Sequence, residues 1–215
     1  MEVAKMNKLL WLLVVAIVVY HFGGSEMRIQ QKQEQMLFTV VTVDGGGSGS
    51  GVVAFTGDGS TFILTAKHVV EGMDFVDVTF YPSNEVYSAL VIKESKTHDL
   101  AVLEVEDYEH HYKASLSSDM KPRVYDTVWK VGGGLGLEPY PGSGIITGLP
   151  KFGIMHNALT IFGDSGGGIF IEDELGQFHL TGIIVSVGMV RRGVPLPHVG
   201  YAHDIATISR FINSI

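Results

Sequence analysis

The sequence predicts an all-β protein rich in turns, from its frequent glycines and the β-type runs between them. Glycine is frequent, at 27 of 215 residues, and it separates short runs of Val, Ile, Thr and Phe that are typical of β-strands. The chain is long enough to form one domain with a sizeable core or two small barrels that share an interface. It contains no cysteine, so disulfides, cysteine nucleophiles and zinc–thiolate sites are excluded.

The N-terminal residues 1–25 have the pattern of an export signal. Lys5 and Lys8 precede an unbroken apolar run from Leu9 to Tyr20, and a basic segment followed by an apolar one is typical of secretory signals. The run is shorter than the roughly 20 residues that span a bilayer, although residues 9–22 come closer to that length. Two interpretations stay open: a cleaved signal peptide, or an uncleaved signal-anchor helix that tethers the protein to the membrane. Both predict export to the periplasm or the extracellular space.

The remaining elements are predicted in chain order. Residues 26–36 are polar and rich in glutamine, which predicts a short exposed helix or tether. Strands are predicted at 38–43, 52–55, 62–66, 75–80, 87–93 and 100–105, and a second set between 124 and about 202. The glycine-rich residues 45–51 are expected to form a loop. Asp204 can cap a final helix whose apolar residues share one face.

Three short stretches carry the residue types of nucleophilic catalysis, in the order His, Asp, Ser. They are Thr65–Val69 around His68, His98–Leu103 with Asp99, and Gly163–Gly168 around Ser165. A serine hydroxyl is a weak nucleophile at neutral pH, so it needs an imidazole to take its proton and a buried carboxylate to orient that imidazole. Glycines beside the serine allow a sharp turn whose N–H groups can face an oxyanion. The stretches therefore predict acyl transfer with Ser165 as nucleophile, His68 as base and Asp99 as its orienting group.

These stretches and their surroundings resemble the trypsin/chymotrypsin-fold serine peptidases, and most of all the disulfide-free HtrA (Deg) branch. The resemblance runs from about Phe38 to about Ile205 and includes the segments 47–53, 62–70, 131–134, 144–148, 181–188 and 199–202. It implies two six-stranded-type antiparallel β-barrels with a short C-terminal helix, preceded by the N-terminal hydrophobic signal or anchor helix. The implied boundaries are a tether at 26–36 and a peptidase domain at 37–215, with barrels at about 37–107 and 123–203 and a helix at 204–214.

Two departures from the HtrA pattern affect these expectations. HtrA members usually carry Asn before the nucleophile, where this chain has Asp164, and they usually continue into PDZ domains, whereas this sequence stops at Ile215. In zymogen-activated trypsin relatives the matching aspartate pairs with a freed N-terminus. Residues 37–40 show no Ile-Val-Gly-Gly-like start, so we expect Asp164 to bond locally to backbone and the chain to lack a PDZ domain.

The resemblance also assigns an oxyanion hole and a specificity pocket. The N–H groups of Gly163 and Ser165 would form the hole. The substrate-binding positions would be Leu159 at the pocket floor, Thr160 beside it, and Ser186, Val187 and Gly188 along the strand that pairs with substrate. Such a floor offers no counter-charge to Lys or Arg, so an apolar residue is expected at the cleavage position. His198 leaves an acidic preference open as an alternative.

Charge and composition restrict the kinds of partner that the protein is expected to bind. The net charge is −8, with 15 basic and 23 acidic residues, and no basic stripe is present, which argues against nucleic acid. The adjacent His110 and His111 lie in an acidic linker without a nearby carboxylate constellation, so neither a metal nor another cofactor is expected. The predicted partners are protein or peptide substrates, with residues 27–38 a candidate segment for homo-oligomers. Two rival functions stay open: a catalytically silent binding module, and a processing protease with a single substrate.

Overall fold

The computed structural model of the protein describes residues 24–117, 120–151, 153–190 and 193–214. The predicted signal or anchor segment lies almost entirely outside these residues. Within them, no helix is both long and apolar enough to cross a membrane. The first described element is helix α1, Gly24–Phe38, which contains the polar stretch predicted as a helix or tether. The chain from Gln35 onward forms a compact unit of its own.

Six antiparallel strands form the first barrel, with a short helix between the third and fourth. The elements are β1 Val40–Asp44, β2 Ser48–Gly57, β3 Ser60–Thr65, helix α2 Lys67–Val70, β4 Phe75–Phe80, β5 Glu85–Glu94 and β6 Ala101–Val105. The strand order is β1-β2-β3-β6-β5-β4, and β4 pairs with β1 to close the barrel. Buried apolar side chains such as Val43, Ile63, Phe80 and Leu103 fill its interior. Successive side chains point to opposite faces of a strand, so alternate residues reach this interior.

The prediction of a loop at 45–51 is wrong for residues 48–51. Ser48–Gly51 belongs to β2, where Gly51 pairs with Val41 on one side and Thr65 on the other. A Cβ on Gly51 would lie 2.6 Å from Cγ2 of Ile63. Glycine is therefore present here because the strand passes close to a packed core residue, and not because the chain turns.

Seven strands form the second sheet. They are β7 Ser115–Leu116, β8 Thr127–Gly132, β9 Tyr140–Gly148, β10 Gly153–His156, β11 Gly168–Glu172, β12 Phe178–Val190 and β13 Val194–Asp204. The order is β11-β8-β9-β10-β13-β12-β7, and an additional β11–β12 pairing closes six of the strands into a barrel. Val128, Ile146, Ile154 and Ile184 are buried inside it.

Helix α3, Ile205–Ile212, follows β13 directly and begins at the predicted cap. The Asp204 side chain accepts a hydrogen bond of 2.8 Å from the Thr207 N–H. Phe211 of this helix belongs to the same buried cluster as Leu64 and Val102 from the first barrel and Phe170 from the second. This cluster joins the barrels into one unit. The predicted pair of six-stranded antiparallel barrels with a C-terminal helix is thereby confirmed.

Candidate active site

His68 and Asp99 meet at one end of the first barrel because their strands are neighbours. Thr65, the last residue of β3, pairs with Ala101, the first residue of β6, so the residues after β3 and before β6 are adjacent. Asp99 Oδ1 accepts a hydrogen bond of 2.9 Å from the His68 backbone N–H. Asp99 Oδ2 lies 2.7 Å from His68 Nδ1. One carboxylate thus fixes both the backbone and the ring of His68.

This pairing determines the tautomer and the charge of both groups. An ionised carboxylate only accepts, so His68 Nδ1 must carry the proton and Nε2 is left to accept one. The hydrogen bond to Asp99 raises the pKa of His68 above its usual value, against the opposing effect of burial. Burial by itself would raise the pKa of Asp99, but the hydrogen bonds from the His68 ring and backbone outweigh it and the pKa is lowered. Asp99 is therefore ionised whenever His68 is poised to accept a proton.

A second histidine, His203 of β13, supports Asp99 from the other side. Its Nε2 lies 3.1 Å from the Asp99 backbone N–H and accepts that hydrogen bond. The His98 ring packs edge-on against His203, with centroids 5.3 Å apart. Burial, and then the neighbouring His203, lower the pKa of His98. The His98 ring also lies 2.9 Å from Thr97 Oγ1, whereas the Asp99 carboxylate contacts His68. His203 is a contact that the sequence did not identify.

Ser165 lies in a tight turn that packs on the end of the first barrel carrying His68. The flanking Gly163 and Gly166 have φ values of +95° and +87°, which L side chains rarely adopt. The Ser165 carbonyl accepts a hydrogen bond of 2.8 Å from the Ser50 N–H. A Cβ on Gly166 would lie 1.9 Å from the Ser50 carbonyl oxygen, and that oxygen also accepts from Thr65 Oγ1. The turn therefore sits directly on the ends of β2 and β3.

The peptides on the two sides of Gly163 are each held in one orientation by a hydrogen bond. The Phe162 carbonyl accepts from the Leu135 N–H at 2.7 Å, and the Gly163 carbonyl accepts from Ser50 Oγ at 2.8 Å. Because a trans peptide places C=O and N–H on opposite sides, the Gly163 N–H points away from Leu135. Within the described part of the chain, the N–H groups of Gly163 and Ser165 donate to no other protein group. Two free donors flanking one residue can stabilise an oxyanion.

Asp164, between these two donors, is fully buried and has two partners. Its Oδ2 accepts from the Ile161 N–H at 2.8 Å, which is the local backbone bond expected from the sequence. Its Oδ1 lies 2.7 Å from Lys130 Nζ of β8, a partner that the sequence analysis missed. The strand pattern could have indicated that Lys130 is buried. Successive side chains of β8 point to opposite faces, so Lys130 lies on the same inward face as the buried Val128.

The predicted substrate-binding residues occupy two segments. Leu159 is 44% exposed, whereas Thr160 is buried and donates from Oγ1 to the Ala158 carbonyl at 2.9 Å. On β12, Ser186 is exposed and pairs with Tyr201, and Val187 pairs with Gly200. Gly188 lies against Val199, with 2.9 Å between an added Cβ and the Val199 side chain.

His156, at the end of β10, is a buried histidine that the sequence analysis also missed. Neither ring nitrogen has a hydrogen-bond partner within the described residues. The ring fills space that a side chain at Gly200 would occupy, since a Cβ there would lie 2.3 Å from His156 Cε1 and 2.7 Å from Thr160 Oγ1. Burial, followed by the nearby Lys130 ammonium, lowers the pKa of His156 to about 4.

Replacing His156 with leucine is expected to remove a component of acid destabilisation. The unfolded state protonates near the ordinary pKa of 6.5 and the folded state only near about 4, so His156 costs stability progressively as the pH falls through that window. Over the whole window, His156 lowers the free energy of unfolding of the unmodified protein by about 3 kcal/mol. Removing the two unpartnered nitrogens should also raise the free energy of unfolding of His156→Leu by about 1 kcal/mol at neutral pH. Urea unfolding of both proteins at pH 7.5, 5.5 and 4.5 measures the difference. An unchanged difference between the two proteins across these pH values would contradict the assignment.

Comparison with known proteins identifies the family of this chain. Residues 49–179 match the family described as trypsin-like peptidase domain. The chain is 36% identical over 107 residues to "Serine protease Do-like HtrA" of Bacillus subtilis (strain 168), which covers 49% of this chain and 24% of that protein. It is 30% identical over 105 residues to "Probable periplasmic serine protease do/HhoA-like" of Haemophilus influenzae, covering 49% of this chain and 22% of that protein. The chain thus spans about a quarter of the length of these curated relatives.

A solved structure has the same fold. The crystal structure of the serine endoprotease from Yersinia pestis superposes with a TM-score of 0.72 at 23% identity, over 86% of this chain and 65% of that one. At this identity the likeness concerns the fold, and it agrees with the two barrels described above. The resemblance seen in the sequence is confirmed by the family match, which covers more than half of the chain. The chain belongs to the trypsin-like peptidase domain family.

Proposed function

We propose that the protein is a serine endopeptidase that cleaves peptide bonds through an acyl-enzyme. The observation that carries the proposal is the pair of hydrogen bonds, 2.9 and 2.7 Å long, that the Asp99 carboxylate accepts from the backbone N–H and the ring of His68. That arrangement leaves Nε2 of His68 as a proton acceptor at the end of the barrel against which the Ser165 turn packs. The names of the Bacillus and Haemophilus relatives, both called serine proteases, agree with this chemistry.

The reaction would use each group in turn. Nε2 of His68 takes the proton from the Ser165 hydroxyl as Oγ attacks the carbonyl carbon of the substrate. The N–H groups of Gly163 and Ser165 stabilise the resulting oxyanion. His68 then gives its proton to the departing amine, which leaves an ester on Ser165. Water, deprotonated by His68, then attacks that ester. The bond to Ser165 Oγ breaks, His68 returns its proton to that oxygen, and the acid product leaves.

Protein or peptide chains with an apolar residue at the cleavage position are the proposed substrates. Leu159, Thr160 and Val187 are neutral side chains, so an ammonium or guanidinium among them would lose hydration without gaining a partner. Burial of apolar surface would contribute about 25 cal/mol per Å² to binding. Ser186 and Gly188 flank Val187 on β12, where the strand pairs with β13 along one edge, and its other edge would offer backbone groups to a substrate.

Export to the periplasm or extracellular space is also part of this proposal. It is supported by the basic and apolar pattern of residues 1–25 and by the name of the Haemophilus relative, a probable periplasmic protease. A membrane tether through residues 9–22 and a homo-oligomer through residues 27–38 are further proposals. Within α1, Met27 and Ile29 are 62% and 54% exposed, so apolar surface is available there for a second copy.

Cleavage-site profiling tests the proposed pocket. A peptide library is expected to be cut after small or medium apolar residues such as Val, Ala, Leu or Met. Leu159→Asp should shift the preference toward Lys and Arg, because it supplies the missing counter-charge, by roughly tenfold or more in relative kcat/KM. The matched control is Leu159→Asn, which has nearly the same shape without the charge.

Three results would decide against the pocket assignment. One is dominance of Lys or Arg in the unmodified protein. A second is an equal shift in the Asp and Asn variants. A profile dominated by Glu is the third, and it would point to Thr160 and His198 as anion ligands. None of these results would affect the proposed roles of His68, Asp99 and Ser165.

A further inference from the structure

We infer that Lys130 is a positioning residue for the oxyanion hole: its buried ammonium holds Asp164 so that the Gly163 and Ser165 N–H groups stay directed at the reacting carbonyl. This inference rests on the proposed function. It means that the chain carries its own partner for Asp164 inside the second barrel. A hole built this way forms on folding and needs no cleavage to release a new N-terminal ammonium.

The first support is the complete burial of the pair. The side chains of Lys130 and Asp164 are both 0% exposed, and Nζ lies 2.7 Å from Oδ1. Burying two charges costs several kcal/mol of hydration, and replacing such pairs with apolar residues is often neutral or stabilising. Stability alone therefore does not account for a lysine at this place in β8.

The second support is what the carboxylate does with its other oxygen. Asp164 Oδ2 accepts from the Ile161 N–H at 2.8 Å, and the Asp164 N–H donates to the Ile161 carbonyl at 3.2 Å. Together these bonds close a turn of four residues that contains Phe162 and Gly163. On its other side, the Asp164 carbonyl accepts from the Gly167 N–H at 2.9 Å. Fixing the carboxylate thus fixes the backbone that carries both free N–H groups.

The third support is that β8 is shaped for this contact. Gly132 lies on the same face as Lys130, two residues further along the strand. A Cβ on Gly132 would lie 2.7 Å from Asp164 Oδ1, so glycine makes room for the carboxylate beside the ammonium. The Tyr140 ring covers the ammonium from β9, with 4.0 Å between Nζ and the ring centroid. A cation held between a carboxylate and an aromatic face has little freedom to move.

Three titratable groups face the Lys130 ammonium from neighbouring elements. Asp164 is its direct partner. Burial, and then the Asp164 charge, raise the pKa of Tyr140, so the phenol is neutral. His156 is also neutral, since burial and Lys130 lower its pKa to about 4. In the described part of this cluster, Asp164 is the anion that balances the ammonium.

The test begins with the unmodified protein and Lys130→Met. Labelling of Ser165 by a fluorophosphonate and turnover of a peptide substrate establish the proposed function first; without them, that function fails before Lys130 is tested. Lys130→Met is then expected to lower kcat about 100-fold, similar to the loss of one oxyanion donor, with KM within about threefold of the unmodified value. Affinity for a peptide aldehyde, whose adduct with the serine places an oxygen in the hole, should fall by about the same factor as kcat.

Two further variants separate positioning from folding. Lys93→Met is the matched control, because Lys93 also contacts a side-chain oxygen, Ser214 Oγ at 2.9 Å, and an aromatic ring, that of Phe211. Its kcat should stay unchanged. The double variant Lys130→Met/Asp164→Leu buries no charge and keeps no side-chain oxygen for the Ile161 N–H. It should recover the stability that Lys130→Met loses while its kcat stays low. It also replaces Lys130→Met if that variant does not fold.

The inference is overturned by any of three outcomes. The first is a kcat within about threefold of the unmodified protein in Lys130→Met or in the double variant. The second is a KM that rises as much as kcat falls, because that pattern indicates general loosening of the site. The third is aldehyde affinity that stays constant while kcat falls, which would place the defect outside the oxyanion hole.

Discussion

Replacing Ser165 with alanine is expected to lower peptide hydrolysis by about 10⁵-fold, since no other group in the proposed mechanism can form the acyl-enzyme. Labelling by a fluorophosphonate should disappear at the same time. The fold should be unaffected, because the Ser165 turn is anchored by its backbone carbonyl on Ser50 and the hydroxyl takes no part in that contact. Measuring kcat/KM, labelling and urea unfolding on the same preparation tests all three statements.

The chain provides a matched control in Ser115, His179 and Asp173, which are joined by hydrogen bonds. Ser115 Oγ lies 2.9 Å from Nδ1 of His179, and His179 Nε2 lies 2.9 Å from Asp173 Oδ2. Ser115 is exposed on the short strand β7 and lies outside the glycine-bordered turn that supplies the free N–H groups beside Ser165. Ser115→Ala should therefore retain full activity and labelling. Residual turnover in Ser165→Ala that disappears when Ser115 is also replaced would show that the nucleophile was assigned wrongly.

The parts of the candidate site that lie in contiguous motifs were predictable from the sequence. His68, Asp99 and Ser165 each lie in a short stretch whose neighbours restrict its conformation: a β-strand before His68, an apolar strand after Asp99, and glycines around Ser165. The two barrels followed from the strand pattern together with the family resemblance. Glycine alone did not distinguish loops from strands. At Ser48–Gly51 it marks a strand that crosses a packed core, and the sequence does not distinguish that use from a loop.

The contacts that were missed join residues far apart in the chain. Lys130 and Asp164 are 34 positions apart, and Asp99 and His203 are 104 positions apart. Which strands lie next to one another decides such pairings, and local pattern does not carry that information. His156 was missed for a related reason, since its ring is accommodated by the absent side chain of Gly200 on the neighbouring strand. The residues that support the candidate site are therefore visible only in the folded protein, although its proposed reacting groups were predicted from the sequence.

Replacing Asp99 with asparagine is expected to lower kcat by about 10⁴-fold without disturbing the barrel. The carboxylate accepts from Nδ1 of His68 and so leaves Nε2 to accept a proton. An amide can instead donate to Nδ1, which puts the ring proton on Nε2, and that nitrogen can then no longer take the proton of Ser165. The matched control is Asp173→Asn, which alters the other Asp–His pair and should leave kcat unchanged.

The pH dependence of the same variant separates orientation from charge. Because the hydrogen bond to Asp99 raises the pKa of His68, kcat/KM of the unmodified protein should rise with pH through a midpoint above the ordinary 6.5 of histidine, as the imidazole loses its proton. In Asp99→Asn the imidazolium loses its ionic partner, so its pKa falls and the residual activity should reach its plateau at a lower pH. Rate profiles between pH 5 and 9 measure both midpoints. A midpoint that does not move would mean that the Asp99 carboxylate, 2.7 Å from Nδ1, does not stabilise the imidazolium of His68. Any loss of kcat in Asp99→Asn would then come from the orientation of the ring alone.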